Sequence, residues 1–379
     1  MHILKSRFEI VRGGASSRRG VIHTAHGDVS TPFFMPDATR ATVRGVLPSE
    51  LGDAGIRAGV VNTYHLMLRP GEAHVRAMGG IHTFMNWNVP ILSDSGGYQV
   101  YSLIHKNPEL GKITENGAVF RSVLDGTKYM LTPERSIQIQ FDLGVDMMVV
   151  LDDPRSNTVS SDEMIASVDR TIRWAKRCRD EYDRLIVERN CTDATRPLLF
   201  GVVQGGLLLE ERRRCVEELA RIGFDGYGFG GRHVDVEGNF LEEVLHETAK
   251  AIPEKSLRFA LGIGTPHDIV RCHALGWDMF DCVIPTREGR HGRVFLCRQG
   301  RQVSNDGGFY TTENLTAERF RENKEPIDAA CDCPACVGVF SRGYIRYLFA
   351  SGDPLGARLL SLHNLRFYAH LMEDIVAHV

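Results

Sequence analysis

Leu198-Leu199-Phe200-Gly201-Val202-Val203-Gln204-Gly205-Gly206 carries no polar side chain before Gln204. A strand without polar alternation is buried on both faces, as the strands of a parallel sheet are. Seven further apolar runs share this form, each closing on or beside Gly, Pro or a polar residue: Pro32 to Met35, Gly59 to Asn62, Pro90 to Asp94, Met147 to Asp152, Gly226 to Gly230, Phe259 to Gly264 and Met279 to Ile284. Helical spacing fills the intervals, as with Ile165, Val168, Ile172 and Ala175, and with Leu241, Val244, Leu245, Ala249 and Ile252. Eight strand–helix units in roughly 250 residues predict an α/β chain built as a (β/α)8 TIM barrel. No G-x-G-x-x-G opens a helix, so a dinucleotide fold has no support. The expected organisation is a barrel over residues 1–300, with an N-terminal extension and an excursion near 100–145, followed by a metal-binding region and C-terminal helices over 301–379.

The chain has 379 residues, 43% hydrophobic and 25% charged, which is globular composition. A formal charge of -3 excludes a general polycation, so any surface for nucleic acid must be local. Two basic clusters exist: Arg212-Arg213-Arg214, read as a solvated helix face, and Arg287, Arg290, Arg293 and Arg298. No apolar run reaches membrane-span length, and Met1-His2-Ile3-Leu4-Lys5 lacks the apolar core of a secretory signal, so a cytoplasmic protein is expected. Of nine cysteines, three crowd into Cys331 to Cys336 and six are scattered, which is no disulfide framework.

Barrels of this kind place chemistry at the C-terminal ends of their strands. The residues closing the runs there include Asn62, Asp94, Asp152, Asp153, Gln204, Gly230, Gly231 and Asp281. Any one Asp could be a helix cap, but three converging on one mouth favour function. Asp281 interrupts the run Met279-Phe280-Asp281-Cys282-Val283-Ile284-Pro285, with the arginines following directly; a carboxylate so placed reads as a nucleophile aimed at a polyanion. Asp94 leads into Ser95-Gly96-Gly97-Tyr98-Gln99, a tight turn in which Tyr98 offers a flat stacking face. The amide of Gln204 donates and accepts at once, which suits the edge of a purine.

Cys331, Cys333 and Cys336 offer three thiolates within six residues, and His363 lies on a helix-like segment from Leu359 to Met372. Three thiolates and an imidazole suit a closed tetrahedral Zn2+ site, structural because no position is left for water, one per chain. His370 and His378 follow on the same stretch and compete with His363 for the fourth corner.

These residues resemble the tRNA-guanine transglycosylase family over nearly the whole chain. The motifs are Thr31-Pro32-Phe33-Phe34-Met35-Pro36, Asn62-Thr63-Tyr64-His65-Leu66-Met67-Leu68-Arg69-Pro70-Gly71, Ser93-Asp94-Ser95-Gly96-Gly97-Tyr98-Gln99, Val203-Gln204-Gly205-Gly206, Phe280-Asp281-Cys282-Val283-Ile284-Pro285-Thr286-Arg287 and the Cys331, Cys333, Cys336 and His363 set. The resemblance implies an enzyme, dimeric and zinc-containing, that exchanges wobble guanine in the anticodon loop of GUN-type tRNAs for a 7-deazaguanine, queuine or the aminomethyl precursor preQ1. It implies Asp281 as nucleophile on C1′, through a covalent tRNA intermediate, and Asp94 as general acid/base. It also implies Asp152, Gln204, Gly230 and Gly231 on the purine edge, Tyr98 and Leu261 sandwiching the ring, and Arg287 and Arg290 near the anticodon bases.

The sequence departs from the pattern in two places. Bacterial members that insert the precursor base show Asp-Glu-Cys where this chain has Asp152-Asp153-Pro154. Asp-Asp followed by a noncysteine residue, and a stretch like Ser156-Asn157-Thr158, resembles the queuine-using eukaryotic subunits and tilts the base specificity toward queuine. Arg232-His233 stands where small or apolar residues are usual, either reshaping the pocket or pointing outward. The alternative to an enzyme is a zinc-stabilised, noncatalytic tRNA-binding scaffold; intact Asp94 and Asp281 weigh against it.

Overall fold

The computed structural model describes residues 6–14, 17–298, 303–304 and 307–377; Met1 to Lys5 and His378, which entered the reading above, lie outside them. Eight parallel strands form one sheet: β1 (Phe33–Pro36), β2 (Gly59–Asn62), β3 (Ile91–Asp94), β4 (Met147–Val149), β5 (Leu198–Val203), β6 (Gly226–Phe229), β7 (Leu257–Ala260) and β8 (Met279–Cys282). They run in the order β1-β8-β7-β6-β5-β4-β3-β2. The two ends meet where Asp37 bridges Val60 in parallel and Ala38 N–H donates to the Val60 carbonyl at 2.7 Å, closing the barrel. All six residues of β5 are buried, as a strand enclosed on both faces requires.

Six of the eight predicted strands lie within two residues of the apolar runs that announced them, and β4 stops at Val149, three residues short of Asp152. The run Phe259 to Gly264 is displaced further: β7 begins at Leu257 and ends at Ala260, and Leu261 to Gly264 is a loop. Arg258 masked the true start. Its guanidinium is buried inside the strand and donates to the Gly276 carbonyl at 3.2 Å.

The end of the barrel from which the strands start is held by buried aspartates. Asp146, Asp225 and Asp278 each stand one residue before a strand (β4, β6 and β8), and each accepts a backbone N–H from a neighbouring strand: Ile91 at 2.9 Å, Leu199 at 2.9 Å and Arg258 at 2.8 Å. Every one has a cationic or imidazole partner. Arg196 donates to both oxygens of Asp225 at 2.8 and 2.7 Å, and Arg18 to both oxygens of Asp278 at 2.8 and 2.5 Å. His26 and His82 hold Asp146 at 2.8 and 3.0 Å, their rings stacked 3.5 Å apart. Arg18 and His26 belong to a three-stranded antiparallel sheet and its connections (Phe8–Arg12, Arg19–Thr24, Gly27–Thr31), which these pairs fasten to the barrel floor.

A second antiparallel sheet (Gly111–Thr114, Gly117–Arg121, Lys128–Leu131) follows the helix Gly97–Lys106; it has three strands, where one hairpin was expected. The C-terminal helix Pro354–Ala377 joins two apolar clusters. Leu365 and Tyr368 pack into the barrel core, while Leu359 and Leu360 pack with Cys333, Cys336 and Ile345. No helix among the described residues is long and apolar enough to cross a membrane.

Arg18 and Asp278 are both fully buried, so removing one partner strands a charge. Asp278→Ala is expected to cost about 3–5 kcal/mol, read as a lower urea midpoint, and the double variant Arg18→Met/Asp278→Leu to regain much of it. A single-variant loss below about 1 kcal/mol would refute this account.

Candidate active site and metal centre

The opposite rim gathers the candidate residues. Asn62 ends β2 and caps the helix Thr63–Leu68, its Oδ1 accepting the His65 N–H at 3.2 Å. Its Nδ2 donates across to Asp94 Oδ2 at 3.0 Å, so one amide both starts a helix and orients a carboxylate. The other oxygen of Asp94 takes the Ser95 N–H at 2.8 Å. Burial raises the pKa of Asp94 against these donors and Gln99, which favours a retained proton.

Asp281 lies inside β8, part-buried, with Oδ1 accepting the Gly262 N–H at 2.7 Å. Burial, then the negative charges of Asp37 and Asp94, push its pKa well above the carboxylate range. Asp152 is buried just past β4, and Gln204 Nε2 donates to its Oδ2 at 2.7 Å. Burial pushes Asp152 up to about 7, with Asp94 and Asp153 contributing. Asp94 therefore senses both Asp152 and Asp281 electrostatically, and the structure brings the three carboxylates to one mouth.

The glycines keep this mouth open. A Cβ on Gly230 would meet Gln204 Nε2 at 2.5 Å, and one on Gly97 would meet Asp152 Oδ1 at 3.2 Å. Gly231 is exposed at φ +92°, turning the chain away from the pocket. Leu261 is half-buried against Gly228, whereas Tyr98, at the start of the helix Gly97–Lys106, is 59% exposed and presents a free ring face. Asp153 does not join the mouth: its Oδ2 takes Arg155 at 3.1 Å and also Arg170. His233 turns to Asp268 at 3.2 Å, and the Arg232 side chain is exposed with its carbonyl held by Asn157 at 3.2 Å.

Arg287 and Arg290 lie on the helix Ile284–Arg290 directly after β8, Arg287 exposed and Arg290 half-buried. Burial, then Arg44 and Arg287, lower the pKa of Arg290, so Arg44 shares this lip. Arg40, just past β1, lies close enough to help depress the pKa of His65. Neither Arg40 nor Arg44 was singled out by the sequence; both are exposed and without an ion-pair partner among the described residues. Arg287 and Arg293 are instead engaged by Glu288, at 3.5 and 3.4 Å.

Asp37 was also missed. It stands between the strands that carry Asp281 and Asn62, half-buried, and burial followed by the charge of Asp94 raises it to about 6, with Arg287 opposing. The solvated-face reading of Arg212 is overturned. Arg212 is buried, its guanidinium over the Phe229 ring at 4.1 Å, and it donates to the carbonyls of Gly206, Val203 and Gly230 at 2.7, 3.3 and 3.1 Å. It braces the two glycine turns that flank Gln204. Arg213 and Arg214 are surface residues paired with Glu210, Glu211 and Asp169.

Away from the mouth, ligand atoms of Cys331, Cys333, Cys336 and His363 lie within 4.8 Å of one another, a group that could hold a metal ion. His363 Nε2 donates to the Phe295 carbonyl at 2.8 Å, which fixes the tautomer and leaves Nδ1 facing Cys336 Sγ at 3.4 Å and Cys333 Sγ at 3.9 Å. His370 faces Asp332 instead, at 3.2 Å. The group His26, His82 and Asp146 is also compact, but His82 Nε2 lies 3.1 Å from the Val89 carbonyl as well as against Asp146, so that nitrogen bears hydrogen and offers no lone pair.

A family model described as queuine tRNA-ribosyltransferase matches residues 14–379. Among relatives named queuine tRNA-ribosyltransferase, that of Halothermothrix orenii is 41% identical over 359 residues, covering 95% of this chain and 89% of the relative. That of Syntrophobacter fumaroxidans is 41% identical over 367 residues, covering 96% and 91%. That of Acetivibrio thermocellus is 40% identical over 371 residues, covering 97% and 92%.

The Arg212 geometry generates a test. Arg212→Met keeps the volume over Phe229 but leaves the Gly206 and Gly230 carbonyls without their donor, while the Val203 carbonyl keeps the Gly230 N–H at 2.9 Å, and is expected to cost at least about 2 kcal/mol in chemical denaturation. A solvated arginine would move stability by less than about 0.5 kcal/mol.

Proposed function

This chain belongs to the queuine tRNA-ribosyltransferase family, and from that premise we propose that it is a tRNA-guanine transglycosylase, a pentosyltransferase working on the anticodon loop. The observation that carries the reading is the convergence of Asp94, Asp152 and Asp281 on one rim, with Gln204 bonded to Asp152 at 2.7 Å.

Asp281 attacks C1′ of the wobble guanosine in its ionised form as the C1′–N9 bond breaks, giving a covalent aspartyl-ribose link; its raised proton affinity makes this attack dependent on pH. Asp94, whose proton affinity burial raises, delivers a proton to the departing guanine. The incoming 7-deazaguanine, queuine or preQ1, loses its N9 proton to Asp94 and attacks C1′, and the Asp281 carboxylate leaves. Base rather than water resolves the intermediate, so the chemistry parallels retaining glycoside transfer. Asp152 accepts the N1–H and N2–H of the purine edge, with Gln204 and the Gly230-Gly231 backbone beside it, and Tyr98 and Leu261 cover the ring faces. Arg287 and Arg290 lie near the anticodon bases, and Arg40 and Arg44 extend the cationic lip toward the phosphates; the target nucleotide leaves its stack cheaply because a hairpin loop is already partly unstacked.

Cys331, Cys333, Cys336 and His363 would hold Zn2+ as a structural ion, since four protein donors close the site to water and the Phe295 carbonyl orients the imidazole. Val337, Val339, Tyr344 and Tyr347, exposed beside this centre, support a homodimer contact. A cytoplasmic location fits free thiols and a tRNA substrate.

The direct test is release of radiolabelled guanine from an anticodon stem-loop, run with queuine and with preQ1; release by neither would leave the scaffold reading. Asp281→Asn is expected to abolish the covalent adduct while holding stem-loop binding within about threefold, and full exchange in that variant would overturn the assignment. Guanine needs the ionised form of Asp152, so affinity for free guanine is expected to be flat above about pH 7 and to weaken about tenfold per unit below it. Calorimetry showing no such break would remove Asp152 from the base edge.

A further inference from the structure

Four consecutive strands of the ring, β8, β1, β2 and β3, end at the mouth in Asp281, Asp37, Asn62 and Asp94. Their register puts all four side chains on one side of the sheet. Asp281 is the partner of Met35, and Asp37 follows Met35 by two residues, so Asp37 projects as Asp281 does. Asp37 also bridges Val60, Asn62 follows Val60 by two, and Asn62 is the register partner of Asp94. The 3.0 Å contact between Asn62 and Asp94 agrees with this parity.

Three of the four have donors or acceptors within the protein: Asn62 and Asp94 hold each other, and Asp281 takes the Gly262 N–H. The carboxylate of Asp37 has no hydrogen-bond partner among the described residues, although it is half-buried between like charges. Solvent still reaches its oxygens at the mouth, so a ligand that displaces this water must bring a donor in its place. On the proposed reading, C1′ lies at Asp281 and the base lies toward Asp94, so the sugar spans the interval that Asp37 occupies. The hydroxyl next to C1′ is the 2′-hydroxyl, a neutral donor present in RNA and absent from DNA.

We infer that Asp37 accepts a hydrogen bond from the 2′-hydroxyl of the target ribose and so selects a ribonucleotide over a deoxyribonucleotide. The inference rests on the exchange reading above. It extends that reading from the base to the sugar, and assigns the carboxylate on the closing seam a part that neither Asp94 nor Asp281 can fill.

The test uses the full chain and two anticodon stem-loops that differ only in a 2′-hydroxyl or 2′-hydrogen at the target nucleotide. Wild-type kcat/KM is expected to favour the ribose hairpin by about tenfold or more, the worth of a hydrogen bond to a charged group. Asp37→Val is expected to bring the ratio to within about threefold of unity. The ratio cancels any effect the variant has through the proton affinity of Asp281, which bears on both hairpins alike. An unchanged ratio in Asp37→Val overturns the inference. So does a wild-type enzyme that treats the two hairpins equally, a result that needs no folded variant. Absence of exchange on the ribose hairpin by wild type would instead overturn the underlying reading.

Discussion

The molecule depends on a narrow seam. β1 and β2 are each four residues long, and their junction consists of one bridge, Asp37 to Val60, and the 2.7 Å bond from Ala38 N–H to the Val60 carbonyl. Without it the sheet has two free edges and its strand ends fan apart. With it, every strand delivers its C-terminal residue to one ring, so side chains separated by up to 244 positions in sequence, from Asp37 to Asp281, come to one mouth. The seam spends no ladder elsewhere because β1 is paired along all four of its residues with β8 on its other side.

Once the ring is closed, position relative to a strand decides what an aspartate does. Asp146, Asp225 and Asp278 precede their strands, point at the ring's floor, and are saturated by strand N–H groups and by Arg or His. Asp37, Asp94, Asp152 and Asp281 lie at the other end, where the strands stop. There, backbone and amide donors reach three of them, and no arginine among the described residues forms an ion pair with any. Full pairing uses up the lone pairs of a floor aspartate, even at Asp278, where burial outweighs Arg18 and raises the pKa; incomplete pairing at the mouth leaves lone pairs for a ligand. The same residue type thus serves stability and chemistry without any difference in local composition.

That division explains what the sequence could and could not disclose. The strands were legible because burial on both faces leaves an unbroken apolar run, and β7 was displaced only because Arg258 breaks its run from inside. Cys331, Cys333 and Cys336 were legible because their proximity is nearly covalent, whereas choosing His363 over His370 required the turn of a helix that sends one imidazole to Phe295 O and the other to Asp332. Arg212, Arg213 and Arg214 are chemically identical in sequence, and only the helix phase against β5 and β6 sends the first inward. Asp37 follows Met35-Pro36 after the end of its apolar run, so nothing local distinguishes it from a turn residue. Its significance comes from strand order and register, which are long-range.

The charges at the rim form one balanced system. Carboxylates crowded in a low-dielectric mouth repel one another, which is why Asp94 contributes to the raised proton affinity of Asp37, Asp152 and Asp281. Arg287 opposes that repulsion at Asp37, and the lip itself is crowded, since burial and then Arg44 and Arg287 weaken the proton hold of Arg290. Each set therefore makes the other cheaper to maintain. A polyanion docking on the lip would neutralise part of it, and the field felt by the carboxylates would shift toward the protonated form. With an overall charge of -3, this local arrangement is the cationic feature that a polyanion approaching the mouth would meet, so attraction and proton affinity there depend on the same few arginines.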